Sequence, residues 1–159
     1  MRRKKHRLPT RNPEPLAVPN QYGNTWSMDF MSDSLYHKVR FRTFNVIDDF
    51  NREVLGIDIE TGMPSSRVTR YLDRLAAWHG YPDKVRVDNG PEFTSYEFMN
   101  WACEHNIKID YIKSGCSYQN AYIERFNRNY REDVLDLYIF NNLQEAKQYT
   151  ESWIEIYNT

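Results

Sequence analysis

Three carboxylates in this chain, Asp29, Asp88 and Glu124, stand where acidic residues need a reason. Asp29 lies between Met28 and Phe30 in an apolar–polar run, Trp26-Ser27-Met28-Asp29-Phe30. A charge there is costly to bury unless it is paired or bound to metal. Asp88 follows the short apolar segment ending at Val87, and Glu124 lies in a stretch with helical periodicity. Three convergent carboxylates without histidine or cysteine form an oxygen-rich site for hard cations such as Mg2+ or Mn2+. Two such ions, about 4 Å apart, clamp the attacking and leaving oxygens of a phosphodiester displacement. One activates water or a 3′ hydroxyl; the other stabilises the departing oxygen. The carboxylates need no unusual pKa for this, because the metals supply the charge.

Each residue also has an ordinary reading. Asp88-Asn89-Gly90 is a common turn composition. Glu124 also reads as a solvated helix residue, ion-paired with Arg128 one turn on. Asp48 and Asp49 compete for the metal role but look more like strand-end and turn residues. Glu124, Arg128 and Arg131 fall at i, i+4 and i+7 on one helix face, beside an apolar face of Ile123, Phe126, Tyr130 and Val134. On the functional reading, the two arginines steer DNA phosphates toward metals held by Glu124.

The elements that must position these residues can be read from periodicity. Trp26–Phe30 reads as a strand, joined through polar residues 32–38 to a β-branched and aromatic strand over Val39–Ile47. Glu53–Glu60 is a third. Pro64-Ser65-Ser66 opens a helix that Gly80 stops. Lys84–Val87 is a short strand, and Thr94-Ser95-Tyr96-Glu97 has capping-box spacing for a helix reaching about His105. Lys108–Ile112 is the last strand. One helix is expected from about Gln119 to Tyr138, and another from Asn142 to Tyr157 with Leu143, Ala146, Tyr149, Trp153 and Ile156 facing inward. The order βββ-α-β-α-β-α plus a C-terminal helix predicts a mixed five-stranded sheet with helices on its faces, a ribonuclease-H-like α/β fold. There the first and fourth strands are neighbours, and ligands gather at strand ends where the topology switches.

Composition is that of a soluble globular protein, with 40% hydrophobic and 27% charged residues. Aromatic residues reach 15%, serving either the core or surface recognition. No apolar run suits a membrane span or signal core, so a cytoplasmic protein is expected. Cys103 and Cys116 are the only cysteines, and four scattered histidines make no zinc spacing. The net charge of −1 conceals six basic residues in the first eleven positions, including Arg2, Arg3, Lys4 and Lys5. Followed by four prolines up to Pro19, they make residues 1–22 an extended arm with a polyanion as its natural partner, or else a solubilising tail or linker. Residues 23–159 form the core domain.

Three blocks carry a family resemblance: Trp26-Ser27-Met28-Asp29-Phe30, Val87-Asp88-Asn89-Gly90-Pro91-Glu92-Phe93, and Gln119-Asn120-Ala121-Tyr122-Ile123-Glu124-Arg125-Phe126-Asn127-Arg128. They resemble the signature blocks of DDE transposases of bacterial insertion sequences, relatives of retroviral integrases. Thirty-five residues separate Asp88 from Glu124, the spacing of this subgroup, and Arg131 matches the family's basic position beyond the glutamate. The resemblance implies cleavage at element ends by water and strand transfer by the freed 3′ hydroxyl, with two Mg2+ or Mn2+ ions. Asp29 would bridge both metals, Asp88 complete one site and Glu124 the other. Asn89, Gln119 and Asn120 match positions lining the site, and Glu92 stays outside the metal set. The implied partners are DNA, both element ends and target, and further copies of the chain assembled on it.

The loop Ser114-Gly115-Cys116-Ser117-Tyr118 departs from the family's proline- and lysine-containing run. The family's usual downstream Arg-Pro-His segment and upstream helical DNA-binding region do not appear, which implies a core cut at both ends. Two other readings therefore accompany the transposase core. One is an inactive or regulatory DNA-binding remnant; the other is a ribonuclease-H-like nuclease that hydrolyses without joining.

Overall fold

In the computed structural model, which describes residues 24–113 and 120–159, three strands open the fold: β1 (Thr25–Ser34), β2 (Arg40–Asp48) and β3 (Val54–Glu60). They are antiparallel neighbours, with β1–β2 register running from Trp26↔Asp48 to Ser34↔Arg40. Helix α1 (Ser65–His79) carries the chain back to β4 (Lys84–Val87), which lies parallel to β1 with Arg86 opposite Ser27. After two helical pieces, α2 (Pro91–Thr94) and α3 (Tyr96–Glu104), β5 (Lys108–Tyr111) adds parallel to β4. The sheet order is β3-β2-β1-β4-β5, the mixed five-stranded ribonuclease-H-like arrangement expected from the element order. Helices α4 (Ala121–Tyr130) and α5 (Leu143–Tyr157) complete the chain.

Side-chain alternation along β1 divides the interior into two cores. Trp26 and Met28 join Phe44, Leu72, Phe98 and Trp101 under α1 and α3. On the other face Phe41, Ile47 and Ile59 pack against Ile123, Phe126 and Tyr130 of α4. Burying each such side chain stabilises the fold by about 1.5–3 kcal/mol. Gly56 of β3 is required by close packing, since a Cβ there would collide with the Tyr71 hydroxyl on α1. Most of the large aromatic side chains fill these cores, although Trp78 and Tyr96 remain exposed.

The elements differ from the sequence reading in four places. β1 runs on to Ser34, because its second half extends past β4 and has only β2 beside it, where polar residues are tolerated. The cap of α3 is Ser95, not Thr94: Ser95 Oγ accepts from Phe98 N at 3.2 Å. Pro91 at the first position gives residues 91–94 a helical turn of their own, so the next helix starts one residue later. The single helix expected to Tyr138 ends as α at Tyr130 and continues as a π-helical turn, Arg131–Leu135. In α5, Ala146 is buried and Leu143 and Trp153 pack on the core, but Tyr149 is 44% and Ile156 74% exposed. The 2.7 Å hydrogen bond between the Tyr130 and Thr150 hydroxyls sets the helix phase, turning Thr150, Ile154 and Tyr157 inward instead.

Candidate active site

Because Trp26 and Met28 face α1 and α3, the alternation of β1 aims Asp29 at α4. The parallel pairing of Ser27 with Arg86, continued by two residues, brings Asp88 alongside Asp29 just past the end of β4. Asp88 Oδ1 accepts from Gly90 N at 2.9 Å, so the turn reading of this segment is also correct. A Cβ on Gly90 would stand 3.0 Å from that same oxygen, so glycine leaves it room.

Helix α4 is tied over Asp29 by one side chain. Asn127 Nδ2 donates to Asp29 Oδ2 at 3.0 Å, and Asn127 Oδ1 accepts from Asn45 Nδ2 at 2.9 Å. Asn45 is fully buried and is the cross-strand partner of Asp29. Glu124 sits nearly one helical turn before Asn127, on the exposed side of α4. Burial pushes the Asp29 carboxyl up to about 6, and the neighbouring charges of Asp88 and Glu124 push it the same way, against hydrogen bonds from the Phe30 backbone and Asn127. Partial burial also raises Glu124, with Arg128 opposing. Asp29 is thus within electrostatic reach of both other carboxylates. Among the described residues, however, no three acidic, histidine or cysteine side chains form a ready-made metal cage.

The remaining expected residues divide. Arg128 is exposed and acts electrostatically on Glu124, lowering its pKa against burial, without a close ion-pair contact. Arg131 is occupied within the protein: its guanidinium donates to Ser32 O at 3.1 Å and pairs with Asp136 at 3.5 Å. Asn89 is exposed beside Asp88; Asn120 is buried at the start of α4, its Oδ1 without a hydrogen-bond partner among the described residues. Gln119, the loop 114–118, and Arg2, Arg3, Lys4 and Lys5 of the arm lie outside the described residues. Glu92, kept out of the metal set, is held by Arg42 at 2.7 Å, and that guanidinium stacks on Phe30 at 4.3 Å.

Sequence reasoning missed Asn45, Asn127 and Arg42 as positioning groups. Asn45 carries the signal that singled out Asp29, a polar residue inside an apolar strand, between Phe44 and Val46. Asp48 and Asp49 do sit at a strand end and turn, but both are fully buried. Asp48 Oδ1 accepts from Phe50 N at 2.8 Å, and Asp49 pairs with Arg86 at 2.8 Å. They stabilise the opposite end of the sheet.

This strand order, with helices on both faces, defines the ribonuclease-H-like class of integrase catalytic cores. The HTLV-2 integrase catalytic core domain, solved in complex with magnesium, superposes with a TM-score of 0.57 at 21% identity, over 80% of this chain and 82% of that one. The integrase core domain family matches residues 19–117, and a second integrase core domain family matches residues 105–159. The chain belongs to the integrase core domain family, in the DDE transposase branch carried by bacterial insertion sequences. It is 39% identical over 157 residues to the 39.2 kDa protein of insertion element IS476 from Xanthomonas euvesicatoria, covering 99% of this chain and 45% of that protein. It is also 39% identical over 145 residues to the 31.7 kDa protein of IS407 from Burkholderia multivorans, covering 91% of this chain and 52% of that one. The chain thus spans about half the length of these relatives. None of the described helices is long and apolar enough to cross a membrane.

Proposed function

We propose that the chain is the catalytic core of a transposase that cuts DNA at element ends and joins the freed 3′ end to target DNA. The observation that supports this is the docking of α4 onto Asp29 through Asn127, with Asp88 and Glu124 within electrostatic reach of Asp29. The chemistry of the donors, though not a ready-made cage, suits a hard divalent cation. All three donors are carboxylate oxygens, and the half-buried Asp29 is raised by desolvation and two like charges, which a bound cation would relieve. Asp29, Asp88 and Glu124 would hold Mg2+ or Mn2+, by analogy with the magnesium complex of the HTLV-2 integrase core. When bound, such ions activate a water or 3′ hydroxyl nucleophile and stabilise the departing oxygen.

The chain's own residues orient the donors. Asn127 and Asn45 fix one Asp29 oxygen, the Gly90 amide fixes one Asp88 oxygen, and Arg42 keeps Glu92 paired beside them. Arg128, exposed one turn beyond Glu124, would meet a phosphate brought to that carboxylate. DNA is the partner, and assembly of several copies on it is part of the reading.

The test is manganese-dependent nicking or end-joining of element-end DNA. Asp88→Asn should abolish it while the circular dichroism spectrum and melting curve stay native. Full activity in a folded Asp88→Asn protein would refute the assignment. If the chain binds DNA but neither cuts nor joins it, even with flanking segments restored, the regulatory-remnant reading replaces this one.

A further inference from the structure

Where the start of α4 meets the β2–β3 turn lies a pocket of about 320 Å³ that the proposed chemistry does not use, lined by Ile47, Arg52, Ala121, Tyr122, Arg125 and Tyr157. Its floor is apolar and aromatic, while two guanidiniums supply all its formal charge. They come from distant parts of the chain, Arg52 from the turn between β2 and β3 and Arg125 from α4, directly after Glu124. The Arg52 guanidinium stands 3.9 Å over the Tyr122 ring and donates one bond, at 3.2 Å, to Phe50 O. These two contacts hold it in place and leave further N–H donors unused. Neither arginine has a close carboxylate contact among the ion pairs of the described residues, although Arg52 lies within electrostatic reach of the buried Asp49.

Two exposed guanidiniums converging on one pocket repel each other, and a phosphate oxyanion relieves that repulsion. The location restricts which phosphate it is. Ile47 lies opposite Ser27, two residues before Asp29, and Ala121, Tyr122 and Arg125 occupy the helical turn that contains Glu124. DNA that crosses the start of α4 to reach Glu124 would therefore also meet this pocket.

We propose that the Arg52–Arg125 pocket binds a single backbone phosphate of the DNA strand engaged at the carboxylates, anchoring it from the turn side of α4. This rests on the transposase reading, and its chemistry differs from that of the arm: one pre-formed site instead of a diffuse basic tail.

The experiment is a salt titration of duplex binding by fluorescence anisotropy in chelator, using the whole chain and a duplex of unrelated sequence. Each neutralised phosphate contact contributes about one unit to the slope of log affinity against log salt. Arg52→Gln and Arg125→Gln are each expected to weaken binding several-fold and lower the slope by about one. The double variant should lower it no further, because both side chains hold the same phosphate. Arg74→Gln, on α1, should change nothing. Both pocket arginines are exposed, so neither substitution opens the core, and melting curves check this. Unchanged slopes, or a double variant that loses two units, would overturn the proposal. So would pyrophosphate raising the wild-type melting temperature, but not the variants', while duplex binding stays equal in all; the pocket would then serve a free anion. If the wild-type chain binds no duplex, the pocket proposal falls and the transposase reading is decided by cleavage with flanking segments restored; flat variants of a chain that does bind overturn the pocket alone.

Discussion

At Asp29, burial and the charges of Asp88 and Glu124 hold the carboxyl up at about 6, against an ordinary 3.8. The folded state therefore holds this proton more tightly than the unfolded chain does. Its contribution to stability is complete below the ordinary value and is lost as pH rises through about 6. In chelator, the melting temperature should fall between pH 5 and pH 7.5 by more in the wild type than in Asp29→Asn. At pH 7.5 the variant should be the more stable by ~1–2 kcal/mol. Asp49, also raised to about 6, contributes the same sign to both proteins and drops out of the difference. Adding Mg2+ or Mn2+ should raise the melting temperature of the wild type and leave the variant's nearly unchanged. A variant that melts lower than the wild type in chelator at pH 7.5 would mean the Asp29 charge stabilises the fold, contrary to this account. Asp29 was legible because a charge interrupts an apolar alternation. Asn45 and Arg86 interrupt theirs in the same way, but nothing in one sequence says which partner each would meet.

Among the elements, the start of α3 separates pattern from geometry. Thr94 and Glu97 have capping-box spacing, yet the hydroxyl that meets the helix N-terminus is that of Ser95. Ser95→Ala should cost about 1 kcal/mol in chemical denaturation, and Thr94→Ala much less. The reverse order would restore the capping box. Helix α4 differs from its sequence pattern in length. Periodicity carried the helix through Tyr138, but the π-helical turn at residues 131–135 adds a residue to the turn and redirects the chain leading to α5. Arg131 consequently reaches back to the Ser32 carbonyl at the end of β1, which ties helix and strand together on the site's outer edge. In α5, apolar character alone could not choose between Ile154 and Ile156 for the inward face. The buried Tyr130–Thr150 hydroxyl pair decides it.

Across the whole molecule, the sheet has one end that carries the candidate carboxylates and a stabilising end. At the latter, Arg86 of β4 and Asp49 after β2 pair at 2.8 Å with side chains 4% and 0% exposed, while Asp110 of β5 adds a second, exposed carboxylate at 3.4 Å. Burial outweighs the guanidinium in setting Asp49 at about 6, so at pH 7.5 it is ionised and paired. Asp49→Asn leaves the Arg86 charge largely uncompensated and should cost about 3–5 kcal/mol in urea denaturation. Replacing both with apolar residues, Asp49→Leu with Arg86→Met, should recover most of that loss. If the double variant is as unstable as the single one, the cost lies in packing and not in a stranded charge. The pair clamps together the strands on which Asp29 and Asp88 ride, although it lies away from both.

The order of elements, the alternation within β1 and the spacing of three acidic blocks are local properties, and from them the sequence alone determined the fold class, the family and the three candidate metal ligands. Periodicity of 2 or 3.6 is written residue by residue, and signature spacing survives without knowledge of contacts. What tertiary structure decided was every choice that depends on a partner distant in sequence. Asn127 finds Asp29 and Asn45, separated from it by 98 and 82 positions. Asp49 finds Arg86 and becomes a buried ion instead of a turn residue. Arg52 and Arg125 come together in one pocket only because the β2–β3 turn packs beneath α4. The physical reason is the same in each case. The free energy of a polar side chain is set by what lies within a few ångströms of it, and that neighbourhood exists only after the chain has folded.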